Sequence, residues 1–339
     1  MTSGPPVGQD GHETGLQMPR MMYGTAWKKE RTAELVYLAI KSGFRGIDTA
    51  AMGKHYREDL AGEGIRRAIG EGIVRRQDIY IQTKFTPVED PQTAADSQVP
   101  YDPTSPLATQ IRDSVSSSLR NLATIPGSPD PPYLDSLVLH SPLRTAAATR
   151  AAWLALQPLV PHTIRSLGIS NVDAAILEEL WPPAPPGQPP PPPLLPLPSV
   201  VQNRFHRRQG RWDERVRAFC RRSAGGAATY QAFWILTANR ELWQEGGVAA
   251  GGPGPGPAEF VAAVARGAGG GVSTAAALYA LVLALDVAVL DGTTSVEHMA
   301  EDLGGVERVA VWRRTEAGRA VFDKCLAAFE EWISSGARG

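Results

Sequence analysis

The 339-residue chain is close to neutral, with 43% hydrophobic residues, 20% charged residues and a formal net charge of −1. This balance excludes a chain-wide attraction to nucleic acid or to an anionic membrane surface. Only two cysteines occur, Cys220 and Cys325, which excludes a disulfide scaffold and favours a reducing, cytoplasmic compartment. No apolar run reaches the roughly 20 residues of a membrane helix.

Residues 1–15 lack the apolar region of a signal peptide, and we expect a disordered N-terminal tail. The remainder, 16–335, is predicted as one domain that carries low-complexity loop insertions at 182–198 and 246–257. The proline-rich insert at 182–198 cannot form a helix or a central strand and is typical of polyproline II. An inert inserted loop and a ligand for SH3 or WW domains remain alternatives for it.

The predicted elements alternate between strand and helix. Residues 14–26 predict a short N-terminal hairpin that leads into a first strand ending at Gly24-Thr25. Further strands are predicted at 44–50, 78–85, 134–142, 163–171, 200–205, 228–234 and 287–293. Apolar residues at helical spacing predict helices at 30–43, 57–72, 107–122, 149–160, 173–181, 212–222, 258–284 and 296–332.

Strict alternation implies parallel strands joined by right-handed crossovers. Eight such units in one domain predict the α/β class and a (β/α)8 TIM barrel. A doubly wound open sheet is the alternative, but the first strand is followed by GTAWKKE rather than by a glycine-rich G-x-G-x-x-G turn.

Polar residues fall at the predicted strand ends, where a barrel places its active site. A single polar residue there is usually a cap or a solvated group, but Asp48, Lys84 and His140 end three neighbouring strands, and Tyr56 lies in the loop after the second. An Asp–Lys ion pair is expected, and a lysine beside Tyr56 would lower the pKa of its phenol. Such a tyrosine can donate a proton to a carbonyl oxygen that His140 orients.

Other chemistries fit the pattern less well. Of the six histidines, only His140 lies at a strand end, so no metal site is expected. The chain also lacks the G-x-S-x-G and Walker motifs of acyl and phosphoryl transfer.

Several motifs together resemble the aldo-keto reductases over residues 18–303. They are GFRGIDTA, HYRED and GEGIRRAI within 43–69, QTKF (82–85), LDSLVLHSP (134–142), LGISN (167–171), VVQNRFH (200–206), YQAFWILTAN (230–239) and GTTSVEHMAEDL (292–303). The resemblance implies hydride transfer between NAD(P)H and a small aldehyde or ketone, by a barrel that we expect to be monomeric. The implied catalytic tetrad is Asp48, Tyr56, Lys84 and His140, with Tyr56 as the proton donor.

The resemblance also implies a cofactor site. Ser170, Asn171 and Gln202 would hold the nicotinamide carboxamide, and Tyr230 would stack on the ring. The other implied contacts are Gly24, Thr25, Asp48, Gln231, Thr293, Thr294, His298, Glu301 and Asp302. The expected cofactor is NADP, with NAD as the alternative, and Trp27, Phe85 and His140 are expected to form the substrate pocket, with Trp234 as a further candidate.

Three features depart from the family pattern. Tyr56 follows Asp48 by eight residues rather than about five, so an insertion of AMG or MGK is inferred before it, and Lys54 and His55 become solvated loop or pocket-rim residues. Gly292 and His298 stand where many members carry a lysine and an arginine for the 2′-phosphate of NADP, and a neutral histidine is the weaker phosphate ligand. VPHT (160–163) replaces the usual Gly-Lys before the fifth strand. A nucleotide-binding barrel that acts as a redox-sensing or regulatory subunit is the alternative function.

Overall fold

The computed structural model describes residues 16–88, 95–123, 127, 130–182, 195–222, 228–244 and 258–335. Eight parallel strands close into a barrel in chain order, with the last strand paired to the first. The strands are β1 Met21–Gly24, β2 Gly46–Asp48, β3 Tyr80–Phe85, β4 Leu134–Leu139, β5 Ile164–Ser170, β6 Val200–Arg204, β7 Thr229–Phe233 and β8 Val287–Asp291. The predicted TIM barrel is confirmed.

Helices follow the strands around the barrel. They are α1 Thr32–Ser42, α2 Glu58–Gly70, α3 Leu107–Ser118, α4 Ala146–Leu156, α5 Ala174–Leu180, α6 Gly210–Arg222, α7 Ile235–Ala238, α8 Arg240–Trp243, α9 Ala258–Ala268, α10 Thr274–Ala284, α11 Val296–Trp312 and α12 Glu316–Ser335. Within the described ranges, none of the helices combines the length and the apolar character needed to cross a membrane.

The strands are buried on both faces. Every residue of β3 and of β4 is buried, because one side of each strand fills the barrel and helices cover the other. Polar side chains cap the helices; for example, the Asp173 carboxylate accepts the Ile176 N–H at 2.9 Å and starts α5. The polar residues at the strand ends are therefore held on a rigid scaffold.

Two predicted elements differ from the structure. The described part of the predicted hairpin, residues 16–20, forms no strand, because β1 pairs in parallel with β2 and β8 and Pro19 has no N–H to give to a ladder. The predicted helix at 258–284 is divided into α9 and α10, since Gly269, Gly270 and Gly271 have φ angles of +64°, +61° and +72°. The region 296–332 is likewise divided, between α11 and α12.

The proline-rich insert is described only at its ends. At its C-terminal end, the Pro196 carbonyl accepts two indole N–H groups, from Trp153 at 3.1 Å and from Trp181 at 3.2 Å. Both indoles and Leu195 are buried, so the chain re-enters the fold at a fixed point. The rest of the insert, the predicted tail at 1–15 and the glycine-rich segment at 246–257 lie outside the described residues.

Candidate active site

A cavity of about 810 Å³ opens at the carboxyl ends of the strands. Its wall contains many of the residues selected from the sequence: Gly24, Trp27, Asp48, Tyr56, His140, Asn171, Gln202, Thr293, His298, Glu301 and Asp302. This volume lies within the range of small-molecule and cofactor pockets, about 300–1,000 Å³.

A buried ion pair forms the base of the cavity. The Lys84 ammonium donates to the Asp48 carboxylate at 2.6 Å and to the Thr49 carbonyl at 2.8 Å. Asp48 is 3% exposed and Lys84 is 1% exposed, so solvent hardly screens the pair. Burial lowers the pKa of Lys84, and the Asp48 carboxylate opposes that shift.

Two glutamine amides hold the other Asp48 oxygen, and a third glutamine links them. Gln82 and Gln202 donate to Asp48 Oδ1 at 2.8 and 3.0 Å, and both donate at 2.7 Å to the Gln231 side-chain oxygen. This network fixes the carboxylate from the β3, β6 and β7 sides, so its orientation toward Lys84 is set by the barrel itself. Gln231 is part of this support and not of the cavity wall, and Gln82 was not selected from the sequence.

Tyr56 lies beside the ion pair and the histidine. Its ring centroid is 5.3 Å from Lys84 Nζ and 5.9 Å from the centroid of the His140 ring, which it meets edge-on at 70°. The loop after β2 closes a turn before Tyr56, since the Met52 carbonyl accepts the Tyr56 N–H at 3.0 Å. The structure therefore brings Asp48, Tyr56, Lys84 and His140 together.

Of the extra residues before Tyr56, Met52 lines the cavity, whereas Gly53 and Lys54 are bonded to the connection after β3. Gly53 and Lys54 donate their backbone N–H groups to the carbonyls of Gln98 and Ser97 at 3.1 and 3.3 Å. A β-carbon at Gly53 would lie 3.0 Å from Gln98 Cβ and 3.3 Å from the Gln98 carbonyl oxygen, so this close approach favours glycine. Lys54 forms an exposed ion pair with Asp96 at 3.8 Å and is a solvated loop residue.

His55 occupies the cavity rim. Its ring lies 4.0 Å from that of Trp27, centroid to centroid, and both residues line the opening. Trp27 is 59% exposed with a left-handed φ of 63°, an arrangement that a non-glycine residue keeps only when neighbours hold it. The sequence left two roles open for Lys54 and His55. Lys54 is a solvated loop residue, and His55 is a residue of the pocket rim.

The expected effect of Lys84 on Tyr56 is reversed in this structure. Burial raises the pKa of Tyr56, and the negative charge of Asp48 raises it further. Burial is the larger cause, and the ion pair adds to it, because a carboxylate 2.6 Å from Lys84 Nζ offsets part of the positive charge that Tyr56 meets. Tyr56 is therefore fully protonated at neutral pH, which a proton donor requires.

His140 is a neutral imidazole oriented by a threonine. Burial and the charge of Lys84 lower the pKa of His140 to about 3. Its Nδ1 lies 2.7 Å from the Thr86 hydroxyl, and the Tyr101 hydroxyl donates to the Thr86 carbonyl at 2.7 Å. If Thr86 donates, the single imidazole proton lies on Nε2, and His140 can donate to a carbonyl oxygen in the cavity. Sequence reasoning missed Thr86, although it follows QTKF directly.

Replacing Thr86 with valine removes the hydroxyl and keeps the side-chain shape. We expect a loss of about 2- to 10-fold in kcat/KM for carbonyl reduction, the range of one neutral hydrogen bond. The His140 ring nitrogens, observed by 15N NMR, should change their tautomer ratio in Thr86→Val and keep it in Thr86→Ser. If Thr86→Val kept the parental tautomer ratio and the parental rate, Thr86 would have no role in orienting His140.

Tyr230 does not stack in the cavity. It is buried behind the barrel wall, where its hydroxyl donates to the Asp213 carboxylate at 3.1 Å. Since side chains alternate along a strand and Gln231 points into the barrel, Tyr230 must point outward. Phe233, two residues after Gln231, lines the cavity instead, together with Trp234. The prediction for Tyr230 is wrong because this residue occupies an outward-facing position of β7. Side chains alternate along a strand, so counting two residues on from the inward-facing Gln231 would have identified Phe233.

Other selected residues lie behind the wall. Phe85 is fully buried with its ring 5.5 Å from that of Tyr101, so it belongs to the core and not to the substrate pocket. Thr25 donates to the Asp48 carbonyl at 3.0 Å, and Ser170 donates to the Gln202 carbonyl at 2.7 Å. Thr294 contributes its carbonyl to Arg31 at 3.4 Å and does not line the cavity.

The end of the cavity between β8 and α11 is acidic. Asp291, Glu301 and Asp302 all line it. Burial, and then the charge of Asp291, raise the pKa of Asp302 above its ordinary value. Lys28 lies nearby, but its ammonium donates to the carbonyls of Gly292 and Thr293.

Among the described residues, no three histidine, cysteine, aspartate or glutamate side chains are grouped to hold a metal ion.

The fold and the cavity define a (β/α)8-barrel protein with a polar, cofactor-sized pocket at the carboxyl ends of its strands. The chain belongs to the aldo/keto reductase family, whose family model matches residues 18–232.

Known proteins resemble parts of the chain. An NAD(P)H-dependent pentose reductase of Pyricularia oryzae is 47% identical over 74 residues, 21% of this chain and 22% of that protein. An uncharacterised oxidoreductase of Saccharomyces cerevisiae is 29% identical over 174 residues, 50% of this chain and 53% of that protein. The chain therefore spans from about a fifth to about half of the length of these relatives.

The fold has counterparts among solved structures. An aldo/keto reductase from Brucella melitensis superposes with a TM-score of 0.62, at 19% identity, over 96% of this chain and all of that one. At this identity the likeness concerns the fold.

Proposed function

We propose that this protein reduces an aldehyde or ketone to an alcohol with a reduced nicotinamide dinucleotide, and that Tyr56 donates the proton. The observation that carries the proposal is the cluster at the cavity base, in which the Tyr56 ring lies 5.3 Å from Lys84 Nζ and 5.9 Å from the His140 ring. Family membership supports it, as do relatives named as NAD(P)H-dependent reductases of pentose and of D-xylose.

The cavity wall fits a nicotinamide group. Asn171 donates its side-chain N–H to the His140 carbonyl at 2.8 Å, and its side-chain oxygen is left as an acceptor within the described part of the site. Phe233 offers a flat ring on the same wall. Asn171, Gln202 and Phe233 would hold the ring, which when bound supplies a hydride to the carbonyl carbon.

The chain's own residues manage the proton and the carbonyl oxygen. His140, neutral and oriented by Thr86, donates a hydrogen bond to that oxygen. Tyr56 passes its proton to the same oxygen as negative charge develops there. The Lys84 ammonium, held by Asp48, stabilises the phenolate that remains, since a positive charge favours an adjacent anion.

The acidic end of the cavity bears on the choice of cofactor. The sequence resemblance places the 2′-phosphate of NADP near Gly292 and His298, which line the cavity together with Glu301 and Asp302. A phosphate there would face Asp291 and Glu301 with no arginine to pair with it on that part of the described wall. These acids favour NAD(H) over the NADP(H) that the sequence puts first.

One assay tests both proposals. The protein is mixed with NADH or NADPH and a reactive aldehyde, and the nicotinamide absorbance is followed. We expect the absorbance to fall with either cofactor, and NADH to saturate at the lower concentration. Tight cofactor binding without loss of nicotinamide absorbance for any aldehyde would favour the alternative, a redox-sensing or regulatory barrel.

We further propose that the protein is monomeric and cytoplasmic. Sedimentation would test the first statement and cell fractionation the second.

A further inference from the structure

Arg204 is the single guanidinium on the described wall of the cavity, and no lysine lines that wall. It ends β6, next to Phe233 of β7 in the strand register, and its side chain is exposed. In the closed ring of eight strands, β6 lies opposite β2, whose following loop carries Tyr56. A molecule that reacts at Tyr56 therefore has Arg204 on the far side of the cavity.

An indole fixes the position of this guanidinium. Arg204 Cζ lies 4.3 Å from the centroid of the Trp234 ring and 6.0 Å from that of Phe233. Cation–π contact of this kind orders an arginine without neutralising its charge. Trp234 is itself 48% exposed and has a left-handed φ of 63°, so the backbone holds an apolar ring in the opening against the usual preference of a non-glycine residue.

The charge of Arg204 is not balanced locally. Within the described residues, no carboxylate lies within ion-pair distance of its guanidinium, and the buried Asp48 carboxylate pairs with Lys84 instead. The same loop adds Arg207 and Arg208, both exposed. Burial, and then the charges of these two arginines, lower the pKa of the adjacent His206. The β6 side of the opening is therefore positively charged.

We propose that Arg204, held against Trp234, binds an anionic group, a carboxylate or a phosphate, of the molecule that occupies the cavity. The guanidinium has the planar donor geometry that pairs with both groups in bidentate fashion. Two sources fit this chemistry: an acidic group on the carbonyl substrate, or the diphosphate of the dinucleotide. If the anionic group belongs to the substrate, this inference rests on the proposed function. It goes beyond that function because it assigns a role to Arg204 and a negative charge to the ligand.

The test compares Arg204→Gln with Arg204→Lys and with Arg207→Gln, a neighbouring arginine outside the cavity wall. The first readout is the ratio of kcat/KM for 4-carboxybenzaldehyde to that for benzaldehyde. If the substrate carries the anion, this ratio falls about 10- to 100-fold in Arg204→Gln, the range of one charge-assisted hydrogen bond. It falls less in Arg204→Lys and stays at the parental value in Arg207→Gln.

The second readout is the dissociation constant of each dinucleotide, measured by fluorescence titration without turnover. If the diphosphate is the anion, this constant rises about 10- to 100-fold in Arg204→Gln while the substrate ratio holds. Calorimetric titration with inorganic pyrophosphate should show the same loss. An Arg204→Gln protein with parental values in all three measurements overturns the proposal. A parental protein that reduces no aldehyde contradicts the proposed function instead, and the pyrophosphate titration still decides the anion site.

Discussion

Replacing Tyr56 with phenylalanine is expected to lower kcat for carbonyl reduction by at least about 100-fold, the lower range for loss of a positioned general acid. The change removes one oxygen and keeps the ring that lies 5.3 Å from Lys84 Nζ. Cofactor binding should persist, because the proposed contacts to the dinucleotide come from other strands. Stopped-flow measurement of hydride transfer from NADH or NADPH, with fluorescence titration of the cofactor, separates the two effects.

Tyr133→Phe is the matched control. Tyr133 precedes β4 at the other end of the barrel, where the Arg76 guanidinium stacks on its ring at 3.9 Å. It should retain parental turnover. A Tyr56→Phe protein that reduced several aldehydes at close to the parental rate would show that another group supplies the proton.

Replacing Asp48 with asparagine is expected to lower the free energy of unfolding by about 3–5 kcal/mol and to abolish most turnover. The substitution keeps an oxygen for Gln82 and Gln202 but removes the charge, so the buried Lys84 ammonium is left without its counter-ion. Breaking a buried pair on one side carries a cost of this size, about 3–5 kcal/mol. Urea unfolding monitored by tryptophan fluorescence measures it.

The double variant Asp48→Asn/Lys84→Met separates charge burial from packing. Methionine fills much of the lysine stem without a charge, so the double variant should recover stability relative to Asp48→Asn alone while remaining inactive. If Asp48→Asn proved as stable as the parent, the pair would contribute no net stability. Its role would then be confined to the electrostatics of Tyr56.

The barrel could be predicted because strand and helix periods alternate clearly and the chain keeps one pattern throughout. The base of the site followed, since Asp48, Lys84 and His140 all close strands, and strand ends meet at one rim. The register of β7 could not be predicted from the sequence. Tyr230 and Phe233 are both aromatic, and only the pairing of Gln231 with Gln202 decides which one faces inward.

The pKa of Tyr56 also lay beyond the sequence. Proximity to a lysine predicts a lower pKa, but the outcome depends on how deeply the phenol is buried and on the 2.6 Å contact that offsets part of the charge of Lys84. Thr86 and Arg204 were missed for a related reason. Thr86 follows β3 and contacts His140, whereas Arg204 ends β6 and contacts Trp234. Their roles depend on these contacts, whose partners come from distant parts of the chain.

The loop that carries Tyr56 is held by backbone hydrogen bonds from Gly53 and Lys54 to residues 97 and 98, in the connection between β3 and α3. In a barrel, such connections vary to suit new substrates. Here the same connection supports the proposed proton donor, so substrate selectivity and reaction rate are not independent traits. Drift in that connection would alter both at once, and an evolutionary change of substrate would require compensating changes around Gly53.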